Sequence, residues 1–322
     1  MTAATLPIIG AEALRSAIGY RDLIEPVSRA FQALSAGRAQ TDMLVLRPHE
    51  DAERGDVYIK SGAIHGESVF IVKISPWFAT NVEQGQPQGG FIAVFDSATG
   101  HTRAILDEQH YLSDIRTAAA GALVARALAP PVVTTAAVLG AGMQAYWQTC
   151  AVHGERPFES LMIWARYPDR GRALAARLAP VLPDVVIEIA PSAEAAVRAA
   201  DALIVATASR EPLVRGAWLR PGQHITSVGA DDATKCELDA DSLGRARVFV
   251  DDRHTALAYG NVHRAVTRHG YQPGDLAGEI GELLAGAVPG RVDPAGITIA
   301  SFVGTGVQDL VAARVALEKL GY

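Results

Sequence analysis

Residues 138–145, which read Val-Leu-Gly-Ala-Gly-Met-Gln-Ala, constrain the possible folds of this chain more than any other stretch. The uncharged run 132–139 is typical of a buried parallel strand, and the pattern after the glycines is helical. Gly140, Gly142 and Ala145 fill the three small positions of a G-x-G-x-x-A turn. The first permits a tight turn, the second admits a pyrophosphate, and the third brings the helix close to the sheet. A strand, a turn and a helix in this order favour a dinucleotide site over an ordinary tight turn.

Strands and helices alternate from residue 134 onward. Apolar runs predict strands at 136–139, 161–165, 202–206, 225–229, 248–250 and 297–302. Helical patterns lie at 143–152, 170–178, 192–199 and 307–320. Because buried strands alternate with helices, we expect an α/β protein with a Rossmann-like, doubly wound parallel sheet.

The first part of the chain has a different pattern. Apolar residues at helical spacing within 23–34 predict a helix that ends near Gly37. Strand-like runs follow without long helices between them, at 57–59, 69–74, 91–95 and near 105. They predict an α+β domain with a mainly antiparallel sheet. Ser113 and Asp114 predict the start of an alanine-rich helix that Pro130 ends.

The composition excludes several classes of protein. The 322 residues carry a formal net charge of −6 without a basic block, so no nucleic acid partner is expected. No apolar run is long enough to cross a bilayer, and the start of the chain lacks a secretory pattern. Cys150 and Cys236 are predicted to be free. The nine histidines lack the H-E-x-x-H spacing of a metal site, and no G-x-S-x-G elbow is present. We expect a cytoplasmic enzyme with no metal and no membrane partner.

The residues after the second strand of the Rossmann-like domain bear on the nicotinamide cofactor. An acidic residue there selects NAD through the ribose 2′-hydroxyl, whereas an arginine accommodates the 2′-phosphate of NADP. This strand runs into Ala165 and Arg166, with Asp169 and Arg170 following. Because an arginine binds phosphate in a bidentate way, the pattern favours NADP(H), with NAD(H) as the alternative. A solvated loop charge is the other interpretation of Arg166.

Several stretches together resemble the ornithine cyclodeaminase/μ-crystallin family, in the order of that family and over nearly the whole chain. They are VFIVK at 69–73 with Asn81 after it, SDIRTAA at 113–119, LGAGMQA at 139–145, VGADDATKCEL at 228–238, GEIG at 278–281 and FVGTG at 302–306. The combination of Arg-Thr-Ala-Ala with Gly-x-Gly-x-Gln-Ala is far more specific than a lone glycine fingerprint.

The resemblance implies a homodimer of two-domain subunits. A substrate-binding and dimerisation domain would comprise residues 1–125 and the returning helix 305–322, and residues 126–304 would form the NAD(P)-binding domain. Members of the family include ornithine and lysine cyclodeaminases, alanine dehydrogenase, ketimine and imino-acid reductases, and a non-catalytic hormone-binding protein. Their shared chemistry is hydride exchange between a nicotinamide and the carbon that bears an amino or imino group beside a carboxylate. The implied substrate is therefore a small amino or imino acid.

The resemblance also implies that Lys73 and Arg116 bind the substrate carboxylate. Lys73 ends an apolar strand, where a charge has little reason to be buried unless it meets an anion. Charge-assisted bonds from both cations would fix the α-carbon for hydride transfer, so we count Lys73 among the catalytic residues. The other interpretation pairs Arg116 with Asp114 in the first turn of its helix.

Further positions in the first domain bear on the substrate. Arg47 matches another carboxylate-binding arginine of the family, and Lys60 stands where the cyclodeaminases usually carry Met-Pro. Lys60 either binds a second substrate carboxylate or faces solvent, and the sequence leaves both open. Tyr58 replaces a glutamate that handles the side-chain amine of ornithine, and Gln88 replaces a family threonine. These departures favour reduction of an imino acid over cyclisation.

Asp231 matches the catalytic aspartate of the family and follows a predicted strand at the carboxyl edge of the parallel sheet. A carboxylate there can move a proton to or from the substrate nitrogen. Spacing does not separate it from Asp232, and the resemblance favours Asp231. The predicted cofactor-binding residues are Arg116, Thr117, Gly140, Gly142, Met143, Gln144, Ala145, Ala165, Arg166, Arg170, Thr207, Ala208, Val228, Gly229 and Asp231. Thr117 bonding its own helix backbone, and Gln144 facing solvent, are the alternatives for those two residues.

Three functions are consistent with these residues. The favoured one is an NADP(H)-preferring oxidoreductase that acts on the C–N bond of a small α-amino or α-imino acid. In it Lys73 and Arg116 hold the carboxylate, and Asp231 moves the proton. The second is a cyclodeaminase, an ammonia-lyase that oxidises and re-reduces its cofactor within one turnover. The third is a non-catalytic cofactor- or ligand-binding protein, which would not need all three residues.

Overall fold

The computed structural model describes residues 6–51 and 54–322. The chain divides into two compact units, one formed by the residues up to Arg116 together with Thr305–Tyr322, the other by Thr117–Gly304. The division falls within a single helix, Tyr111–Leu128. The same helix contains residue 125, where the sequence placed the domain boundary.

The described residues form strands and helices in the following order. The strands are β1 Ile8–Gly10, β2 Ala39–Leu46, β3 Gly55–Ile64, β4 Val69–Phe78, β5 Phe91–Asp96, β6 Thr102–Asp107, β7 Thr135–Leu139, β8 Ser160–Trp164, β9 Val186–Ile189, β10 Ala202–Val205, β11 His224–Ser227, β12 Ala246–Val250, β13 Gly278–Glu279 and β14 Ile297–Ser301. The helices are α1 Ala11–Ala17, α2 Tyr20–Ser35, α3 Ala79–Glu83, α4 Tyr111–Leu128, α5 Met143–Glu155, α6 Pro168–Leu178, α7 Ala193–Ala199, α8 Ala240–Gly244, α9 Arg253–Ala258, α10 Gly260–His269, α11 Ile280–Leu284 and α12 Gly306–Leu320.

The first unit is built on a six-stranded sheet in the order β1-β6-β5-β4-β3-β2. Its neighbours pair antiparallel, except that β1 pairs parallel with β6. The predicted mainly antiparallel sheet is therefore confirmed. Because side chains alternate between the two faces of a strand, the register decides which residues meet.

Two rows of side chains cross the central strands of this sheet on opposite faces. One row joins Met43, Lys60, Lys73 and Ile92 as direct partners on β2 to β5. The adjacent row joins Leu44, Ile59, Ile74 and Phe91 on the other face. We call the face with the two lysines the inner face and the face with Leu44 the outer face.

Helices α2 and α12 pack on each other, and α12 also packs on β3 and β4. Gly62 on β3 makes this packing possible, because a Cβ atom there would collide with the backbone carbonyl of Gly306. The close approach places the first turn of α12 against the inner face. Leu23, Val27 and Phe31 of α2 are fully buried and contribute to the core of this unit.

The second unit is an eight-stranded sheet in which all pairs are parallel. From one edge the order is β9-β8-β7-β10-β11-β14-β12-β13. Strands β8 and β9 lie on one side of β7, and the next strand in the chain, β10, pairs with β7 on its other side. The predicted Rossmann-like sheet is thus confirmed, and its switch point, where ligands bind in such folds, lies between β7 and β10.

The structure corrects several predictions about local structure. Helix α4 begins at Tyr111, so Ser113 is not its cap but a buried residue of its first turn. Strand β2 was largely missed, and β3 is longer than predicted, because its Ser-Gly-Ala segment at 61–63 is typical of a loop. Strand β11 ends at Ser227, which leaves Val228 and Gly229 in the following loop. Strands β9 and β13 were not predicted.

Candidate active site

Lys73 is 1% exposed on the inner face of the first unit and is surrounded by acidic and polar groups. Its Nζ atom donates a hydrogen bond to Ser113 Oγ and lies 3.1 Å from Asp309 Oδ1 and 3.5 Å from Glu108 Oε1. Ser113 in turn donates to Glu108 through its hydroxyl, at 2.7 Å, and through its backbone N–H, at 2.8 Å. A buried ammonium is tolerated only with such partners.

Arg116 is 6% exposed and also turns toward α12. Its Nε donates to Asp309 Oδ1 at 3.0 Å, and its Nη1 donates to Gln308 Oε1 at 3.3 Å. The acidic partner of Arg116 is thus Asp309, not Asp114 as the alternative interpretation had it. The structure therefore brings the two predicted carboxylate-binding cations, Lys73 and Arg116, to one oxygen atom.

Asp309 is the residue of this group that the sequence did not point to. It is fully buried, which raises its pKa, but the charges of Arg116, Lys73 and Lys60 outweigh burial and hold the pKa at about 2. The available signal was an acid in the first turn of an otherwise apolar helix, directly after the Gly-Thr-Gly motif at 304–306. We call Lys60, Lys73, Glu108, Arg116 and Asp309 the buried charge cluster.

Lys60 is 5% exposed, so the interpretation that it faces solvent is wrong. It lies directly opposite Lys73 on the inner face, and its Nζ is 5.9 Å from the centroid of the buried Tyr58 ring. Arg47 lies further out, with its side chain 38% exposed and its Nε 3.4 Å from Asp56. Of the two additional predicted cations, only Lys60 is therefore in the buried charge cluster.

His110 and Gln88 stabilise backbone next to the cluster. The Nε2 atom of His110 lies 3.1 Å from Ser75 Oγ and 3.0 Å from the carbonyl of Pro76. Burial lowers the pKa of His110, and the neighbouring positive charge of Lys73 lowers it further. Gln88 accepts from the N–H of Phe78 and donates to its carbonyl. Both residues thus contact β4 near its end, which gives them a structural role.

The glycine turn of the second unit fits a dinucleotide. Gly140 follows β7 with a φ of +120°, and a Cβ atom there would collide with the carbonyl of Ala206. Gly142 is the N-cap of α5, has no side-chain capping bond, and has nothing within 4 Å of the position of a Cβ atom. Because no side chain caps the N–H groups of α5, a pyrophosphate can accept from them. Ala145 is fully buried, as its role in helix packing requires.

Glu237, which the sequence did not point to, fixes the loops after β10 and β11. Its carboxylate accepts from the N–H and hydroxyl of Thr207, the hydroxyl of Ser227 and the N–H of Gly229, at 2.6 to 2.9 Å. Burial raises its pKa to about 7, although these four bonds favour the ionised form. Thr207 and Gly229 are predicted cofactor residues, so Glu237 determines where both lie.

The two neighbouring aspartates differ in their surroundings. Asp232 is fully buried, and its Oδ1 accepts from the backbone N–H groups of Thr234 and Lys235. Burial raises the pKa of Asp232, but Lys235 and the hydrogen bonds outweigh it and lower the pKa overall. Asp231 has a side chain that is 32% exposed, with Oδ1 2.6 Å from Lys235 Nζ. Asp232 therefore shapes the turn, whereas the carboxylate of Asp231 is accessible.

The other predicted cofactor residues follow β8, β10 or β11 or lie in α4, α5 or α6. Ala165 and Arg166 directly follow β8, where Arg166 is exposed. Arg170 lies over the ring of Tyr167, 5.4 Å from its centroid. Asp169, the acidic residue that follows Arg166 in the sequence, forms an ion pair with Arg172. The remaining residues follow β10 or β11 or lie in α4 or α5: Thr117, Met143, Gln144, Ala208 and Val228.

The described residues place no group of three or more His, Cys, Asp and Glu side chains where it could hold a metal ion. Neither Cys150 nor Cys236 forms a disulfide bond. None of the described helices is long and apolar enough to span a bilayer.

Comparisons with known proteins show which family this chain resembles. The model of the ornithine cyclodeaminase/mu-crystallin family matches residues 9–321. An uncharacterized cyclodeaminase of Sinorhizobium fredii is 36% identical over 301 residues, which cover 92% of this chain and 90% of that protein. Δ1-pyrroline-2-carboxylate reductase of Thermococcus litoralis, solved with NADH and L-proline, has 28% identity and a TM-score of 0.91, covering 98% and 97%. An archaeal alanine dehydrogenase dimer with bound NAD has 27% identity and a TM-score of 0.89, covering 98% and 95%.

Proposed function

The chain belongs to the ornithine cyclodeaminase/mu-crystallin family, and from this premise we propose that it is an NAD(P)H-dependent oxidoreductase. It acts on the C–N bond of a small α-amino or α-imino acid. The observation that carries the proposal is the convergence of Lys73 and Arg116 in the first unit. Two buried cations side by side form an anion site of the kind that a substrate carboxylate requires.

Each residue of the proposal has one task. Lys73 and Arg116 bind the α-carboxylate and so orient the α-carbon, while Asp309 keeps both side chains in place. Asp231, whose carboxylate is accessible, gives a proton to the substrate nitrogen or takes one from it. The turn of Gly140 and Gly142 holds the pyrophosphate of the cofactor. When bound, the reduced nicotinamide supplies the hydride.

The proposed cofactor preference is for NADP(H). It is supported by exposed Arg166 directly after β8 and by the ion pair that Asp169 forms with Arg172. An Arg166→Asp variant should raise the KM for NADPH, relative to that for NADH, at least about tenfold, since a charge-assisted bond is lost. Arg198→Ala, which changes an exposed arginine paired with Glu194, is the control. An unchanged KM ratio would leave Arg166 as a solvated loop charge.

A homodimer is part of the proposal, with the first unit as the substrate-binding and dimerisation domain. The outer face of its sheet carries the apolar row of Leu44, Ile59, Ile74 and Phe91. Leu44 and Leu46 are 54% and 45% exposed. A row of exposed and half-buried apolar side chains of this kind is typical of an association surface. The cytoplasm is the proposed location, since neither cysteine is in a disulfide bond.

A spectrophotometric screen tests the activity. The protein is mixed with NADPH or NADH and with pyruvate, glyoxylate or oxaloacetate plus ammonia or methylamine, and separately with cyclic imines. Ammonia release from ornithine is measured in parallel. We expect oxidation of NADPH with at least one imine and no ammonia from ornithine.

The second candidate is a cyclodeaminase, which the Sinorhizobium fredii relative favours by its name. Against it stands Tyr58, a buried phenol where the cyclodeaminases carry a glutamate for the side-chain amine. Ammonia release from ornithine without net change in cofactor absorbance would establish this candidate and contradict the reductase. Cofactor binding without either activity would leave a non-catalytic binding protein.

A further inference from the structure

Gly260, the first residue of α10, lies against the loop that carries Asp231. Its φ is +75°, a conformation that glycine adopts at little cost. A Cβ atom there would collide with the carbonyl oxygen of Ala230, and the N–H of Gly260 donates to the carbonyl of Asp232 at 2.9 Å. Gly260 therefore contacts the residues on both sides of Asp231.

Asn261, the next residue, is 1% exposed and uses both ends of its side-chain amide. Its Oδ1 accepts from the backbone N–H groups of Glu237 and Leu238, at 2.8 and 3.1 Å. Its Nδ2 donates to the hydroxyls of Ser227 and Ser301, at 2.8 and 3.2 Å. A buried polar group that is fully satisfied in this way holds its partners in one arrangement.

Glu237 links Asn261 to the loops after β10 and β11. The Oγ atom of Ser227 accepts from Asn261 and donates to Glu237 Oε2 at 2.6 Å, and the same oxygen accepts from the N–H of Gly229 at 2.9 Å. Gly229 has no room for a Cβ atom, which would collide with the backbone of Thr207 and with the Glu237 carboxylate. Because these groups are in contact, a displacement of Glu237 would displace both loops.

The bonds of Asn261 differ from those of an asparagine that only stabilises its own helix. Asparagine side chains near a helix start usually bond neighbouring backbone groups of the same segment. The four bonds of Asn261 instead reach β11, β14 and the segment at Glu237 and Leu238. The start of α10 is thus built to hold other parts of the second unit.

We propose that Gly260 and Asn261 are positioning residues for the reaction proposed above, on which this inference rests. Gly260 fixes the loop on either side of Asp231 and so determines where its carboxylate meets the substrate nitrogen. Asn261 fixes Glu237 and, through it, the loops after β10 and β11 that line the proposed cofactor site. Substitution of Gly260 therefore affects kcat, and substitution of Asn261 affects the affinity for the cofactor.

Two glycines at opposite ends of α10 test the role of Gly260. Gly260 and Gly270 have φ values of +75° and +71°, so an alanine is strained to a similar extent at either position. A Cβ atom at Gly270 has nothing within 4 Å, whereas one at Gly260 presses on Ala230. With the best imine from the screen, Gly260→Ala should lower kcat about 10²-fold, the effect that a small displacement of a catalytic group can have. The KM for NADPH should stay the same, and Gly270→Ala should keep the wild-type kcat.

Asn261→Asp tests the second role, since it keeps the size of the side chain and the acceptor for Glu237 and Leu238. The variant loses the Nδ2 donors, and its new oxygen competes with Glu237 for the hydroxyl proton of Ser227. NADPH should bind at least about tenfold more weakly in calorimetric titration, because a buried bond is lost. Glu237→Gln should have a similar effect. The double variant should lose less affinity than the product of the two single losses, because both substitutions act on the same bonds.

The outcomes separate this inference from the proposed function. A wild-type kcat in Gly260→Ala, or equal losses of kcat in Gly260→Ala and Gly270→Ala, would overturn the role of Gly260. Wild-type affinity for NADPH in Asn261→Asp, or losses that multiply in the double variant, would overturn the role of Asn261. If Gly260→Ala does not fold, the titrations of Asn261→Asp decide. Suppose that the wild type reduces no imine, while Asn261→Asp weakens NADPH binding and the losses do not multiply. That result would contradict the proposed function and support the positioning of the cofactor loops.

Discussion

Among single residues, Lys73, Arg116 and Asp309 can be buried because each charged group lies beside a group of opposite charge. Each would be costly to bury alone, and the two cations share one carboxylate oxygen, at 3.1 and 3.0 Å. Removing one partner of a buried pair typically costs about 3–5 kcal/mol, because the other charge stays buried. Lys73 and Arg116 were predicted from the sequence, because a motif and an interrupted apolar strand marked them. Asp309 was not, since only the tertiary packing of α12 brings it to them.

The roles of the two neighbouring aspartates can be separated by substitution. Asp231→Asn should lower kcat about 10²- to 10⁴-fold, the usual effect of losing a general acid or base, with little change in melting temperature. Asp232→Asn should lower the melting temperature instead, because the Oδ1 atom of Asp232 holds the turn at Thr234 and Lys235. Imine reduction and thermal unfolding of both variants are the measurements. A catalytic defect confined to Asp232→Asn would reverse the assignment.

Glu237 should make stability depend on pH. Burial raises its folded-state pKa from 4.5 to about 7, so the folded protein holds this proton more tightly than the unfolded chain. Its contribution to stability is therefore complete below pH 4.5 and is lost as the pH rises through 7. This loss lowers the free energy of unfolding by up to about 3 kcal/mol. Glu237→Gln should flatten this part of the pH profile in urea unfolding, whatever its overall stability.

A second variant checks the cause of this pH dependence. Ser227→Ala removes a hydroxyl that donates to Glu237 Oε2 at 2.6 Å and favours the ionised form. The pKa of Glu237 should rise further, and the loss of stability should move to higher pH. The same profile in the wild type and Glu237→Gln would show that another group causes the dependence.

Among the secondary-structure elements, the turn from β7 to α5 needs its glycines both for the backbone conformation and for binding of the cofactor. Gly140→Ala should lower both the melting temperature and cofactor affinity, because φ is +120° and the added Cβ would collide with the carbonyl of Ala206. Gly142→Ala is the matched control, since its Cβ would enter open space. This variant should unfold at the wild-type temperature. It should bind NADPH at least about tenfold more weakly, because the added Cβ atom excludes the pyrophosphate.

Calorimetric titration of NADPH and thermal unfolding distinguish the two glycine variants. Wild-type affinity in Gly142→Ala would contradict a pyrophosphate site at this turn. Equal losses of stability in both variants would indicate that the turn is only structural.

The strands and helices could be predicted from the sequence where a single pattern of apolar residues dominated. The parallel strands of the second unit are short apolar runs between helices, and the sequence located most of them to within one or two residues. The first unit was harder, because Gly62 interrupts the strand pattern of β3 in order to admit Gly306. Glu237 was missed although it lies in a stretch that carried the family resemblance, since its task depends on loops from two strands.

At the scale of the whole molecule, the outer face of the first unit is the surface that the proposed dimer would bury. Leu44→Asp should yield monomers, because a charge on a 54% exposed leucine in the apolar row opposes its burial. Val186→Asp on β9 changes a residue that is 61% exposed in the second unit and is the control. Light scattering after size-exclusion chromatography measures the mass. A dimer retained in Leu44→Asp, or a wild-type monomer, would contradict this association.

Reduction of a C–N double bond by this chain can be followed through the transferred hydride. The wild-type protein is incubated with the best imine from the screen and with NADPH that carries deuterium at both hydrogen positions of nicotinamide C4. We expect one deuterium at the α-carbon of the amino acid for each cofactor oxidised, detected by mass spectrometry and proton NMR. Recovery of unchanged labelled NADPH, together with ammonia release in a parallel incubation with ornithine and NAD⁺, would contradict this reaction and identify a cyclodeaminase.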